Sequence, residues 1–158
     1  MCEYQHIIIN LNGGVAGKWN TAFMSLGKYY DSIDEILHSM SEYLGISEED
    51  DYGFDEDMDD DDFIDEPCCT RADVCACGNI LENYIDNLIT VSKSPTDEAI
   101  LKFVEKTVKK LNKLNEKCEY ELIEATQSDD ICDLIHNAAV EAGLCDIPDN
   151  VADEWRDF

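Results

Sequence analysis

The chain has 158 residues, about one domain's worth, and carries 37 acidic against 11 basic side chains for a formal net charge of −26. That balance excludes nucleic acid as a direct ligand, because phosphates reward cations, and no stretch approaches the roughly 18–20 apolar residues of a membrane span. An apolar fraction of 44% is still enough to build a core.

Met1 to His6 and the short run Ile7-Ile8-Ile9 offer neither a basic stretch nor an apolar segment long enough for a secretory signal. A cytoplasmic location is therefore expected, with most of the eight cysteines as thiols in a reducing compartment. Residues 4–11 followed by Asn12-Gly13-Gly14 read as a strand meeting a turn, and Lys18 to Met24 as a less regular second strand. Such a hairpin needs helix packing to be stable. Asn12 to Lys18 faintly resembles a phosphate-binding loop, but its glycine spacing is wrong and no Ser or Thr follows Lys18, so a hairpin turn is the expectation.

Ser32 and Glu35 have the spacing of a capping box, and Ile33, Ile36, Leu37, Met40 and Leu44 recur with helical period before Gly45 ends the segment. The pattern then breaks. Residues 48–66 hold 13 acids among 19 residues with no base, and are expected to form an acidic loop. Thr70 and Asp73 resemble a second capping box, opening a helix from about Arg71 to Ser92 whose stripe is Val74, Cys77, Leu81, Tyr84, Leu88 and Val91. Ser94-Pro95 reads as cap and first helical residue of a third helix running to about Lys117, with Leu101, Val104, Val108 and Leu111 as its apolar stripe.

That third helix holds Lys102, Lys106, Lys109, Lys110, Lys113 and Lys117, six of the eleven bases in the chain. They are expected to complement either the acidic loop or the C-terminal segment, where residues 119–158 carry twelve acids against Arg156 alone. If they remain exposed, opposite signs on opposite sides favour head-to-tail self-association. Ser128 is expected to begin the last long helix, with Ile131, Leu134, Ile135 and Ala138 inward, Asp130, Asp133, Asn137 and Glu141 outward, and Gly143 just past its end. The tail from Pro148 to Phe158 has Val151 and Trp155 on its apolar side. The expected fold is a single domain over residues 1–158, mainly α with about four helices, or α+β if the N-terminal hairpin forms.

Asp55, Asp57, Asp59 and Glu66 occupy positions 1, 3, 5 and 12 of a calcium loop, but Asp60 stands where the turn needs glycine and Asp62 where an apolar residue belongs. Cys68, Cys69, Cys75 and Cys77 lack the two-to-four-residue gap of a zinc site, and Cys75 and Cys77 fall about 200° apart on a helix. Cys77 reads more simply as a small core residue. His6, His38 and His136 are scattered. No metal, no cofactor and no enzymatic activity is expected.

The acidic loop leaves two readings open, a solvated spacer and a binding element. Tyr52, Phe54, Met58, Phe63 and Ile64 support the second, since rings among carboxylates suit a basic groove. In size and charge the chain resembles a class of acidic cytosolic inhibitors, the bacterial immunity proteins and antitoxins, and the resemblance implies neutralisation of a basic partner such as a nuclease toxin. On this expectation the contact residues are Tyr52, Phe54, Asp55, Asp57, Asp59 and Asp61, and secondarily Asp130, Asp133 and Glu141. The alternatives are a nucleic-acid mimic made by a phage or mobile element against restriction or CRISPR-type machinery, and an acidic chaperone or adaptor. A duplex mimic needs charge in long rows, whereas half of the net charge here sits in one short stretch.

Overall fold

A computed structural model describes residues 24–46, 68–146 and 149–158. The expected N-terminal strand and turn, and the whole acidic stretch 48–66 with its calcium-like spacing, lie outside these residues; of the expected second strand only Met24 is described, in a helical turn. Among the described residues the regular structure is four helices and no strand, so the fold is mainly α: α1 (Lys28–Tyr43), α2 (Arg71–Val91), α3 (Asp97–Lys117) and α4 (Ala125–Glu141).

Side-chain contacts fix an up-down-up-down order. Tyr30 near the start of α1 donates to Asp86 near the end of α2 at 2.7 Å. Lys117 at the end of α3 meets Asp73 at the start of α2 at 2.6 Å, and Tyr43 at the end of α1 donates to Glu124, just before α4, at 2.7 Å. Successive helices therefore run antiparallel, and α4 closes back onto α1. Short links dictate this order where they exist, since five residues between α2 and α3 permit only antiparallel neighbours.

The core follows the apolar stripes. Ile33, Ile36, Leu37 and Met40 of α1, Val74, Cys77, Leu81, Tyr84 and Leu88 of α2, and Ile131, Leu134, Ile135 and Ala138 of α4 are all buried. Tyr84 is buried whole, and its hydroxyl is satisfied by donating to the Ile135 carbonyl at 2.8 Å, joining α2 to α4. On α3 the stripe is displaced from the expected one: Ile100, not Leu101, is fully buried with Val104, Val108 and Leu111. Counting back four residues from Val104 gives Ile100, so the strict i, i+4 register prevails and Leu101 lies half-buried beside it.

Three helix starts differ from the sequence expectation. α1 opens at Lys28 with Gly27 as its cap, leaving Ser32 and Glu35 inside the helix, because buried Tyr29 extends the apolar stripe one turn earlier. α3 opens at Asp97, two residues later than Ser94-Pro95 implies. The Thr96 hydroxyl accepts the Ala99 N–H, and the Asp97 carboxylate accepts the N–H groups of Cys145 and Asp146, both at 3.1 Å. α4 opens at Ala125, and Ser128 sits within its first turn with its hydroxyl donating to the Phe158 carbonyl at 3.3 Å. The expected box on α2 does form: one Asp73 oxygen accepts both the N–H and the hydroxyl of Thr70 at 3.0 and 2.6 Å.

The tail is fastened across α3 and α4. Asn112 donates to the Trp155 carbonyl at 2.7 Å and accepts the Asp157 N–H at 3.1 Å, while Val151 and Ala152 are buried. Between α3 and α4 the chain turns through Glu119 and Tyr120, both with positive φ (54° and 66°). Buried Asn115 holds this turn, its carbonyl accepting the Tyr120 N–H at 2.8 Å and its side-chain oxygen the Ile123 N–H at 3.0 Å. No helix among the described residues is long and apolar enough to cross a membrane.

Candidate partner-binding surface

Ile46 and Cys68 mark where the acidic stretch leaves and rejoins the described fold, and both lie at one end of the bundle. At that end α1 and α3 finish and α2 and α4 begin. Cys68 donates to Glu121 at 2.9 Å, and Lys117 reaches Asp73 there. Lys117, and after it Thr70, hold the Asp73 carboxyl below the usual aspartate range. The acidic stretch is thus rooted beside two helix N-termini, which carry partial positive charge, and beside the last lysines of α3. Its proposed contact residues Tyr52, Phe54, Asp55, Asp57, Asp59 and Asp61 lie outside the described residues.

The secondary set is described, and its members differ. Asp130 and Asp133 are exposed on the outer face of α4, with no hydrogen bond or ion pair among the described residues. Glu141 is engaged within the chain. Its carboxylate meets Lys28 Nζ at 2.5 Å and accepts from the hydroxyls of Ser25 and of Tyr29, the latter at 3.1 Å. Lys28, followed by Ser25, lowers the Glu141 pKa, while burial and then Glu141 push Tyr29 up to about 12. Glu141 therefore ties α4 to α1, and Asp130 and Asp133 have more to offer a partner.

Two further features of the surface emerge in the fold. The neighbouring helix α1 presents Asp31, Asp34 and Glu35, exposed and without a partner among the described residues. Their signal in the sequence is their place among the apolar positions Ile33, Ile36 and Leu37, which puts them on the outer face of the helix. The second is an open cavity of about 510 Å³ where the tail crosses α3, walled by Leu101 and Trp155 and rimmed by Asp146, Asp149, Asp153 and Glu154. Leu101 and the rim acids are far apart in sequence, and only the docking of the tail brings them together.

The cysteines also regroup. Cys68 and Cys69 sulfurs are 3.5 Å apart, and the Cys69 thiol points to the Cys118 carbonyl at 3.8 Å, so the neighbour of this pair comes from the end of α3. Cys77 is buried, and burial pushes its thiol up to about 12. Cys69 is raised by burial too, and then by Cys68. Cys75 sits on another, half-buried face. Among the described residues no three His, Cys, Asp or Glu side chains converge to hold a metal ion. His38 pairs with Glu42 at 3.5 Å on the surface of α1, and His136 lies on α4.

Charge is distributed unevenly over the described fold. Outside α3, the described residues contain 19 acids and 4 bases, and of those bases Lys28 is tied to Glu141 and Arg156 to Asp153 at 3.0 Å. Compared with protein-family models, with characterised proteins and with solved structures, the chain is similar to none.

Proposed function

We propose that this protein is an acidic inhibitor of the immunity type, which binds a basic partner protein, a nuclease toxin domain in the first instance, and blocks its phosphate-binding cleft. The observation that carries the reading is the combination of 13 acids in residues 48–66 with exposed carboxylates on α1 and α4 that have no partner among the described residues, against bases gathered on one helix. A cleft made to receive phosphates presents Lys and Arg at spacings that a carboxylate array can meet. Steered association of this kind reaches about 10⁸ M⁻¹s⁻¹ at low salt, against about 10⁵–10⁶ M⁻¹s⁻¹ for a neutral pair. Desolvated charge pairs then slow release. Asp130 and Asp133 supply a rigid second contact beside the primary set at Tyr52, Phe54, Asp55, Asp57, Asp59 and Asp61.

The test is to measure association with the product of the adjacent open reading frame, and inhibition of its nuclease activity, as a function of ionic strength. A steep fall in on-rate with salt is expected, and a further fall when Asp55, Asp57, Asp59 and Asp61 are replaced by Asn. Binding indifferent to salt, or a partner neutral or acidic at the contact, overturns the reading.

A further inference from the structure

The six lysines of α3 fall within about 100° of the helix circumference, counting 100° per residue, and face away from the stripe of Ile100, Val104, Val108 and Leu111 that enters the core. Lys109 pairs with Glu105 at 2.5 Å and Lys117 with Asp73. Lys102, Lys106, Lys110 and Lys113 are exposed and have no ion-pair partner among the described residues. The C-terminal acids do not supply one. Asp146, Asp149, Asp153 and Glu154 gather around Leu101 and Trp155, and none bridges to these lysines. A row of four like charges along roughly 16 Å of helix repels itself and lacks its counter-charge in the described fold.

We infer that this lysine face is the docking site for the chain's own acidic stretch, residues 48–66. Charge is complementary: residues 48–66 hold thirteen carboxylates and no base, and the stripe holds lysines. Geometry allows it. Both ends of the stretch are rooted at the end of the bundle where α3 finishes, as the contacts of Tyr43 with Glu124 and of Cys68 with Glu121 show. From Lys117 back to Lys102 is about 22 Å along the helix, and half of the 21 residues between Ile46 and Cys68 spans up to about 33 Å when extended, so every lysine of the row is within reach. Tethering supplies an effective concentration of about 1 mM or more, whereas a second copy, itself at −26, is repelled. The docking deepens the proposed function and rests on it only in its consequence: a cationic partner competes with α3 for the same carboxylates, so the stripe sets how basic a partner must be.

Zero-length carbodiimide cross-linking of the purified full chain, followed by peptide mass spectrometry, tests the docking with no partner present. Links from Lys102, Lys106, Lys110 and Lys113 to carboxylates within 48–66 are expected in the monomer band, falling several-fold at high salt. Links confined to a dimer band identify a second copy as the occupant and overturn the inference, as do links to residues 119–158 alone, or none. Replacing the four lysines with Gln, at exposed sites where folding is checked by circular dichroism, is expected to tighten binding of a short oligolysine probe several-fold; unchanged or weaker binding overturns the competition. Intramolecular links that persist in a protein which fails to bind the nuclease defeat the proposed function and leave the docking standing.

Discussion

Asp73→Asn is the sharpest test of how the root of the acidic stretch is built. The carboxylate is buried, with its side chain 6% exposed, and accepts from Lys117 Nζ, the Thr70 hydroxyl and the Thr70 N–H. An amide keeps the volume but removes the charge and turns one acceptor into a donor, which must then face either the ammonium or the Thr70 donors. Loss of the cap costs about 1 kcal/mol, and the broken hydrogen bonds raise the total to about 1–2 kcal/mol; the exposed Lys117 ammonium adds no separate share. For a chain of this length that lowers the melting temperature by about 3–6 °C. Because the folded Asp73 pKa is depressed, its stabilisation is complete above the ordinary aspartate value near 3.9 and is lost as pH falls through the lower folded value. Thermal melts of both proteins by circular dichroism should therefore show the full gap at pH 7 and a narrowing gap below about pH 4. A variant that melts within about 1 °C of the parent at pH 7, or a gap independent of pH, refutes the reasoning.

Three further outcomes are expected. Tyr84→Phe leaves the Ile135 carbonyl without its buried hydroxyl donor and should cost about 1 kcal/mol by denaturant titration, with an unchanged m value; no loss means that another donor replaces it. Gly143→Ala meets two obstacles, a φ of 112° and a Cβ that would lie 3.1 Å from the Pro95 ring, so a loss of about 2 kcal/mol is expected, and a neutral effect would show that the α4 exit can shift. Glu119→Gly relieves a left-handed residue at the α3–α4 turn and should raise the melting temperature by about 2–4 °C, against no change if the turn rearranges.

The helical stripes were legible in the residues themselves. Ile33 to Met40, Val74 to Leu88 and Ile131 to Ala138 repeat every three or four positions, and burying such a stripe requires a helix packed on helices, whatever the partner elements are. The Thr70 and Asp73 box was legible for the same reason, because both partners are local. Helix starts were less so where a distant group takes part in them: Asp97 answers to Cys145 and Asp146, and Ser128 to Phe158. No local pattern encodes a partner 30 or more residues away.

The same division holds for the site. Net charge, the 13-acid run and the gathering of lysines on one helix are properties of composition and order, and they are what the proposal of a basic partner starts from. Tertiary structure decided which charges remain available. It turned Glu141 to Lys28 and Tyr29, left Asp130 and Asp133 without a partner among the described residues, placed Cys118 rather than Cys75 beside Cys69, and gathered the tail acids around Leu101 and Trp155. An ion pair or a cavity wall depends on distance in space, and in a four-helix bundle that distance is set by which helix ends meet, which the one-dimensional order of residues does not contain.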